Sequence, residues 1–222
     1  MTNVFKTQEK KSLKRQLFGI AVEALEQDGW KVERVPGSGK SSVRRITKGR
    51  VTKVVSIRTT QDAHIAFPRI GDDTAWRTLD EVDAVVPVSV DDKSNPRYAK
   101  VHLIDGDEMR RRFNRAYEAR KNAGHALPVG RGVWLALYIP ESQTPASLVG
   151  AGFGLKFPPI ATVPLSEEMI AEISGHDAEM DEEDEQPVSS GDEPALTIAE
   201  AKIRLAKAFG VQPDNVKIII EG

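Results

Sequence analysis

The chain has 222 residues, of which 40% are hydrophobic, and it contains no cysteine. That length can bury one substantial core and a small second one, while the lack of cysteine excludes disulfide frameworks, thiolate zinc sites and cysteine nucleophiles. No window approaches 18 consecutive apolar residues and the first residues show no signal-peptide pattern, so we expect a cytoplasmic protein without a membrane partner.

The net charge of -2 hides a strong asymmetry along the chain. Residues 1–60 carry 14 Lys/Arg against 5 Asp/Glu, whereas residues 166–193 carry 12 acids and no base. Clustered cations gain affinity for phosphate backbones by releasing counterions, so the first third of the chain predicts DNA or RNA as a partner. A solvated basic face is the alternative interpretation, and the acidic segment is another available partner for these cations.

The first predicted elements are a helix and four strands. Apolar residues at spacings of three and four predict an amphipathic helix that ends at Asp28-Gly29, with this buried stripe: Leu13, Leu17, Ile20, Ala21, Ala24 and Leu25. Residues rich in β-formers predict strands at 30–35, 43–46, 51–60 and 64–67. The Lys48-Gly49 pair is a hairpin turn between the second strand and the third.

The middle of the chain predicts a strand pair and a second helix. Residues 84–90 are rich in valine, but Pro87 favours an edge position or a bulge, and residues 98–104 are the expected hairpin partner. Asp105 can cap a helix over about 107–122. Its predicted buried stripe is Met109, Phe113, Ala116 and Tyr117. The arginines of this helix lie mostly off the stripe: Arg110, Arg111, Arg112, Arg115 and Arg120.

Three further segments complete the first 165 residues. Residues 76–82 are expected to form a short helical or turn segment. Residues 132–139 are apolar enough for a central strand, and the Gly/Pro-rich residues 151–164 predict an irregular arm. Together the elements indicate an α/β (α+β) fold in which helices flank a mixed central sheet.

The domain organisation follows from composition. We assign a globular domain to residues 1–165 and an acidic disordered tether to 166–194, because the tether has too few apolar groups to offset the entropy of ordering. A capping box at Thr197-Ile198-Ala199-Glu200 begins a small helix-strand module at 195–222. The module is too short to fold alone, so we expect it to dock on the main domain, on a second copy or on a protein partner.

A glycine-rich segment at Gly37-Ser38-Gly39-Lys40-Ser41 imitates the end of a phosphate-binding P-loop. That motif needs a glycine five residues before its Gly-Lys pair, where this chain has Arg34, and it needs a helix where residues 43–46 predict a strand. The pattern therefore indicates a basic hairpin tip able to touch a phosphate backbone, and no cofactor is expected.

The order of helix, Gly-Trp, two strands and then Val54-Val55-Ser56-Ile57-Arg58-Thr59-Thr60 resembles the restriction-endonuclease-like superfamily with the PD-(D/E)xK motif, over residues 12–121. In that family an acid and a lysine stand two residues apart on one strand and hold a cation and a phosphate. Here Ser56 takes the place of the acid, Arg58 that of the lysine, and the first acid falls near Ser41 or Ser42. The resemblance implies a nuclease-like domain without metal-binding or catalytic residues.

The candidate nucleic-acid contacts combine these observations: Lys40, Arg44, Arg45, Arg58, Thr60, Arg111, Arg112 and Arg115. Arg58 beside two hydroxyls could supply a bidentate phosphate contact. Two alternatives stay open. The strand residues Ser56, Arg58 and Thr60 are also consistent with a plain solvent-facing strand, and the arginines of the second helix with a solvated helix face.

Three functions are therefore compatible with the sequence. The first is a non-catalytic nucleic-acid-binding protein of bacterial or mobile-element type, whose acidic tether competes with DNA for the basic face. The second is an adaptor that recruits a protein, or self-associates, through residues 195–222. The third is a metal-dependent nuclease that uses acids such as Glu23, Glu26 or Asp62.

Overall fold

The structure is a computed structural model that describes residues 8–35, 41–71, 74–174 and Gln212. The chain divides into two units, Met1–Asp184 and Glu185–Gly222, and the description below concerns the first. The predicted helix-strand module at 195–222 and most of the predicted tether lie outside the described residues, so both stay predictions.

The chain forms an α+β fold. Its helices and strands, in chain order, are α1 (Gln8–Gln27), β1 (Lys31–Arg34), β2 (Val43–Lys48), β3 (Val51–Thr60), β4 (His64–Ile70), β5 (Ala75–Trp76), β6 (Ala84–Val90), β7 (Tyr98–Val101), β8 (Ile104–Asp105), α2 (Gly106–Asn122), β9 (Gly132–Ala136), α3 (Phe153–Lys156), β10 (Ala161–Pro164) and α4 (Glu167–Ser174). Single turns of 3-10 helix span Leu79–Glu81 and Ala146–Leu148.

A mixed seven-stranded sheet is the centre of the fold. Its order is β1-β2-β3-β6-β7-β10, with β8 also paired to β6. Strands β3 and β6 are parallel, in a register that pairs Arg58 with Pro87, whereas β1, β2 and β3 form an antiparallel meander. A second sheet has three strands in the order β5-β4-β9.

Helices α1 and α4 cover one face of the large sheet. The stripe Leu13, Leu17, Ala21 and Leu25 is at most 2% exposed and packs on Val55 and Ile57 of β3. The helix ends at Gln27, and Gly29 follows with a φ of +88°, a conformation that glycine adopts without a Cβ clash. The predicted first helix and its glycine stop are confirmed.

Helix α2 and the small sheet cover the opposite face. Phe113 of α2 meets Phe67 and Trp76 edge to face, with ring centroids 5.1 and 5.4 Å apart. Aromatic pairs in this geometry contribute roughly 0.5–1.5 kcal/mol beyond the burial of their area. The predicted stripe of α2 is confirmed, because all four of its residues are buried, and the carboxylate of Asp105 accepts from the amides of Asp107 and Glu108 as a cap.

Pro87 does not mark an edge, and that prediction is wrong. Strand β6 is buried at all seven positions and lies between β3 and β7. On the side of β6 away from β3, the strand pairing is interrupted between β7 and β8, at His102 and Leu103. This gap lies opposite Pro87. A central strand therefore tolerates a residue without an N–H here, and the Pro87 carbonyl still accepts from the His102 amide at 2.9 Å.

Three boundaries also differ from the sequence-based expectation. Strand β9 lies at the end of the small sheet rather than at the centre of the large one, and the expected irregular arm contains α3 and β10. The tether was expected from residue 166, but α4 occupies Glu167–Ser174. Met169 and Ile173 are buried against the α1 face of the large sheet, so this segment has enough apolar surface to fold.

Candidate nucleic-acid interface

The polar side chains of β3 lie inside the protein. Ser56, Arg58 and Thr60 are 0%, 3% and 8% exposed, because the small sheet covers the face of β3 that points away from α1. The Arg58 guanidinium carbon lies 4.4 Å from the centroid of the Phe67 ring. Both interpretations of these residues as solvent-facing are wrong, and we remove Arg58 and Thr60 from the candidate phosphate contacts.

Thr60 instead stabilises the turn between β3 and β4. Its hydroxyl donates to the Asp62 carboxylate at 2.8 Å and accepts from the His64 amide at 3.2 Å. The same carboxylate also accepts from that amide at 3.2 Å. These bonds satisfy the polar groups of a tight turn, which is the usual role of Asp and Thr at such positions.

The arginines of α2 are held by carboxylates and carbonyls of the protein itself. Arg112 is 4% exposed; its Nε donates to Glu108 at 2.9 Å and its Nη1 donates to the carbonyls of Gly150 and Ala151 at 3.1 and 2.7 Å. Arg111 pairs with Glu108 at 3.0 Å, and Arg115 with Glu141 at 2.9 Å.

Burial also distinguishes these arginines from one another. The Arg112 side chain is buried, so we remove it from the candidate nucleic-acid contacts. Arg111 and Arg115 are exposed, but their charges are already compensated by the ion pairs with Glu108 and Glu141.

Glu108 is the centre of this cluster. Its desolvation would raise its pKa, but hydrogen bonds from Arg111, Lys156 and Arg112 outweigh that effect and lower the pKa to about 2. A carboxylate that accepts several charged donors stays ionised at all ordinary pH values. The cluster thus joins α2 to α3 and to the loop that precedes α3, and its role is to stabilise the fold.

A separate group of exposed cations lies on the meander of β1, β2 and β3. We call residues 31–35 and 41–53 the basic meander; they hold seven Lys/Arg and one acid, Glu33. β1 is the edge strand of the large sheet. The predicted contact Lys40 lies outside the described residues.

Arg34 and Arg44 stand directly opposite each other in the β1–β2 register. Burial lowers the pKa of Arg44, and the charge of Arg34 lowers it further. Like charges directly across a strand pair destabilise the sheet by up to about 1 kcal/mol. The folded protein therefore keeps a repulsive pair at its edge.

Arg44 is fixed in place by its neighbours. Its Nη1 donates to the carbonyls of Ser41 and Val43 at 2.8 and 2.7 Å, and its guanidinium carbon lies 4.6 Å from the Phe18 ring centroid. A planar guanidinium held by carbonyls and an aromatic ring has lost much of its rotamer freedom before any partner arrives.

Other cations of the meander differ in whether they are paired. Lys31 pairs with Glu33 at 2.8 Å, and Lys48 with Asp28 at 3.4 Å. Three others are exposed and have no carboxylate within ion-pair distance in the part of the chain that the structure describes: Arg34, Arg45 and Arg50. Lys31 lowers the pKa of Glu33, and the charge of Arg45, which stands opposite Glu33 in the β1–β2 register, helps to lower it.

A series of hydrogen bonds links buried polar side chains that the sequence did not predict to form a site. His102 is 0% exposed; its Nδ1 bonds the Phe157 carbonyl at 2.8 Å and its Nε2 bonds the Tyr138 hydroxyl at 2.9 Å. Tyr138 also bonds Ser89 at 2.7 Å. Because the carbonyl only accepts, Nδ1 carries the proton and Nε2 accepts from Tyr138.

Burial lowers the pKa of His102 and raises that of Tyr138, so both groups are held neutral. The chain of bonds ties β6, the segment before β8 and the segment after β9 together. A signal for it existed in the sequence, since Ser89 and His102 lie in the predicted strand pair, but Tyr138 joins them only in three dimensions.

Among residues 8–35, 41–71 and 74–174, no group of three or more His, Asp or Glu side chains is placed to hold a metal ion. Two acids proposed for a nuclease, Glu23 and Glu26, are exposed on α1, and Asp62 caps the turn after β3. In the same part of the chain no helix is long and apolar enough to cross a membrane. No protein-family model, curated protein or solved structure matches the chain.

Proposed function

We propose that this protein binds nucleic acid through the basic meander, without cleaving it. The observation that carries the proposal is the cross-strand pair of Arg34 and Arg44, a repulsive arrangement that an anionic partner would relieve. Arg45 of β2 and Arg50 of the β2–β3 turn add two more exposed cations to the basic meander.

The arrangement of the cations favours a phosphate backbone over a small anion. Arg44 shares the α1 face of β2 with Ile46, whereas Arg45 points to the opposite face, so the edge carries charge on both sides. A β-ribbon with cations on both faces fits a groove between two phosphate strands, such as the major groove of a DNA duplex. Contacts of this kind position a protein on the duplex and carry no sequence information themselves.

We propose that the protein does not cleave nucleic acid because of the residues that occupy the PD-(D/E)xK motif positions. The restriction-endonuclease-like resemblance is part of the proposal: a domain of that type would use the β3 positions now filled by Ser56 and Arg58. A buried serine in the place of an acid supplies no charge for a divalent cation.

The experiment compares two sets of charge removals by fluorescence anisotropy with a labelled DNA duplex. Arg34→Gln, Arg45→Gln and Arg50→Gln together should weaken binding by roughly tenfold or more, since each exposed contact contributes up to about 1 kcal/mol. The matched control, Arg111→Gln with Arg115→Gln, should leave binding within about twofold, because those arginines are paired internally.

Arg34→Gln has a second expected effect that a purely structural role does not predict. Removing the repulsion with Arg44 should raise the free energy of unfolding by a few tenths of a kcal/mol while it weakens DNA binding. A duplex that does not bind the wild-type protein at low salt would refute the proposed function.

A further inference from the structure

Strand β1 is the open edge of the large sheet. It pairs with β2 on one side, and within the described residues no strand lies on its other side. The opposite edge of the sheet is protected, because β10 follows Pro158 and Pro159 and ends at Pro164, and proline cannot donate a hydrogen bond to a further strand. β1 contains no proline, so its outer N–H and C=O groups can receive another strand.

The charges of β1 have an order that matches the same strand in a second copy. Charged side chains on an edge strand usually oppose pairing, but here Lys31 and Glu33 have opposite signs and share one face, where they form an ion pair at 2.8 Å. If two β1 strands run antiparallel with Val32 opposite the partner's Val32, each Lys31 lies opposite the partner's Glu33. Residues directly opposite in such a pair have Cβ atoms about 5 Å apart, which allows an ion pair. Charges of alternating sign then meet around the two-fold axis.

The α1 face of β1 is also complementary to itself in this register. Trp30 and Val32 are partly exposed and pack against the core beneath α1, so the two copies of Val32 cover each other. Trp30 lies opposite the partner's Arg34, and a guanidinium is attracted to the face of an indole ring. Asp28 lies at the same end of β1, since its carboxylate accepts from the Trp30 indole at 3.0 Å. Arg34 therefore meets an aromatic ring and a carboxylate of the second copy.

This contact gives Arg34 the carboxylate that it lacks among the described residues of its own chain, where it stands opposite Arg44. Lys48 already contacts Asp28 at 3.4 Å, but one carboxylate can hold several cations, as Glu108 does in this protein. Antiparallel pairing places Arg34 beside Asp28 twice, once on each side of the two-fold axis.

We infer that this protein forms a symmetric dimer through its β1 strands, which pair antiparallel about Val32 and join the two large sheets into one. The inference goes beyond the proposed function and does not depend on it. Arg34 serves both partners, so a nucleic-acid duplex and a second copy compete for this edge. One short strand and the side chains beside it make a small interface, so we expect a dissociation constant in roughly the micromolar range.

The experiment is sedimentation equilibrium of the full chain over about 1–200 µM, with sign reversals on β1. Lys31→Glu and Glu33→Lys should each weaken self-association at least about tenfold, because four like charges then meet at the two-fold axis. An equal mixture of these two variants should form a heterodimer, since one copy brings two acids and the other two lysines. The double variant Lys31→Glu with Glu33→Lys should dimerise again. The control, Arg97→Glu in the exposed β6–β7 loop, should dimerise within about twofold of wild type.

Circular dichroism separates a lost contact from a lost fold. The Lys31 and Glu33 side chains are 72% and 45% exposed, so each variant should keep the wild-type spectrum. A wild-type protein that stays monomeric throughout the concentration range would overturn the inference, as would a dimer that neither sign reversal weakens, or single variants that do not associate when mixed. No nucleic acid is present, so such a failure leaves the proposed function intact. Failure of a duplex to bind refutes the proposed function and leaves the dimer intact.

Discussion

Replacing Arg112 with alanine tests whether the arginines of α2 stabilise the fold or contact a ligand. The change removes three hydrogen bonds, from a guanidinium that is 4% exposed to Glu108, Gly150 and Ala151. Breaking a buried charged pair costs roughly 3–5 kcal/mol. Glu108 keeps its contacts with Arg111 and Lys156, and Glu141, which lies 3.7 Å from Arg112, keeps its ion pair with Arg115. No carboxylate is therefore left unpaired, and we expect a loss of about 3 kcal/mol.

Urea denaturation followed by circular dichroism measures this loss, and the melting temperature should fall by roughly 6–12 °C. The matched control is Arg111→Ala, whose side chain is 62% exposed, and its cost should stay below about 1 kcal/mol. The folded fraction of the Arg112→Ala protein should bind a DNA duplex as the wild type does. A stability within about 1 kcal/mol of wild type would refute the reasoning, and so would a selective loss of DNA binding.

Two further predictions concern pH. The pKa of Glu108 is held at about 2, below its ordinary 4.5, so the stability that this ionised carboxylate contributes is complete above pH 4.5 and is lost as the pH falls towards 2. The difference in unfolding free energy between wild type and Glu108→Gln should therefore shrink over that range. A constant difference would contradict this. Burial lowers the pKa of His102, so its ring resonances, assigned with His102→Gln, should remain those of the neutral form as the pH falls through 6.5; protonation at or above 6.5 would contradict the buried bonding.

Local signals predicted the helices and most strands because each depends on neighbours in the sequence. The stripe of α1 and the Asp105 cap of α2 follow from spacing and from residue type, and both are confirmed. The predicted hairpin between β2 and β3 is also confirmed, but its turn residues are Gly49 and Arg50, because Lys48 still pairs with Val51. Pro87 shows where such signals end. The free-energy cost of a proline in a strand depends on what lies opposite its missing N–H. Here that is the gap between β7 and β8, which the residues around Pro87 do not reveal.

The candidate interface was predicted less well, for a related reason. Arg58, Arg112 and Arg45 all have polar neighbours in the sequence. In the structure Arg58 and Arg112 are buried, whereas Arg45 is exposed. The difference comes from the small sheet that covers β3 and from the loop carbonyls that surround Arg112. The charge count shows that the first third of the chain is basic, but the placement of Arg34 opposite Arg44 depends on the strand register.

The salt dependence of duplex binding tests the central claim most directly. If the basic meander contacts phosphates, the logarithm of the affinity should fall linearly with the logarithm of the salt concentration. Replacing Arg34, Arg45 and Arg50 with glutamine should then reduce the slope by about 2.7, or roughly 0.9 for each phosphate contact. An unchanged slope in that variant, or wild-type binding that does not respond to salt, would contradict the account.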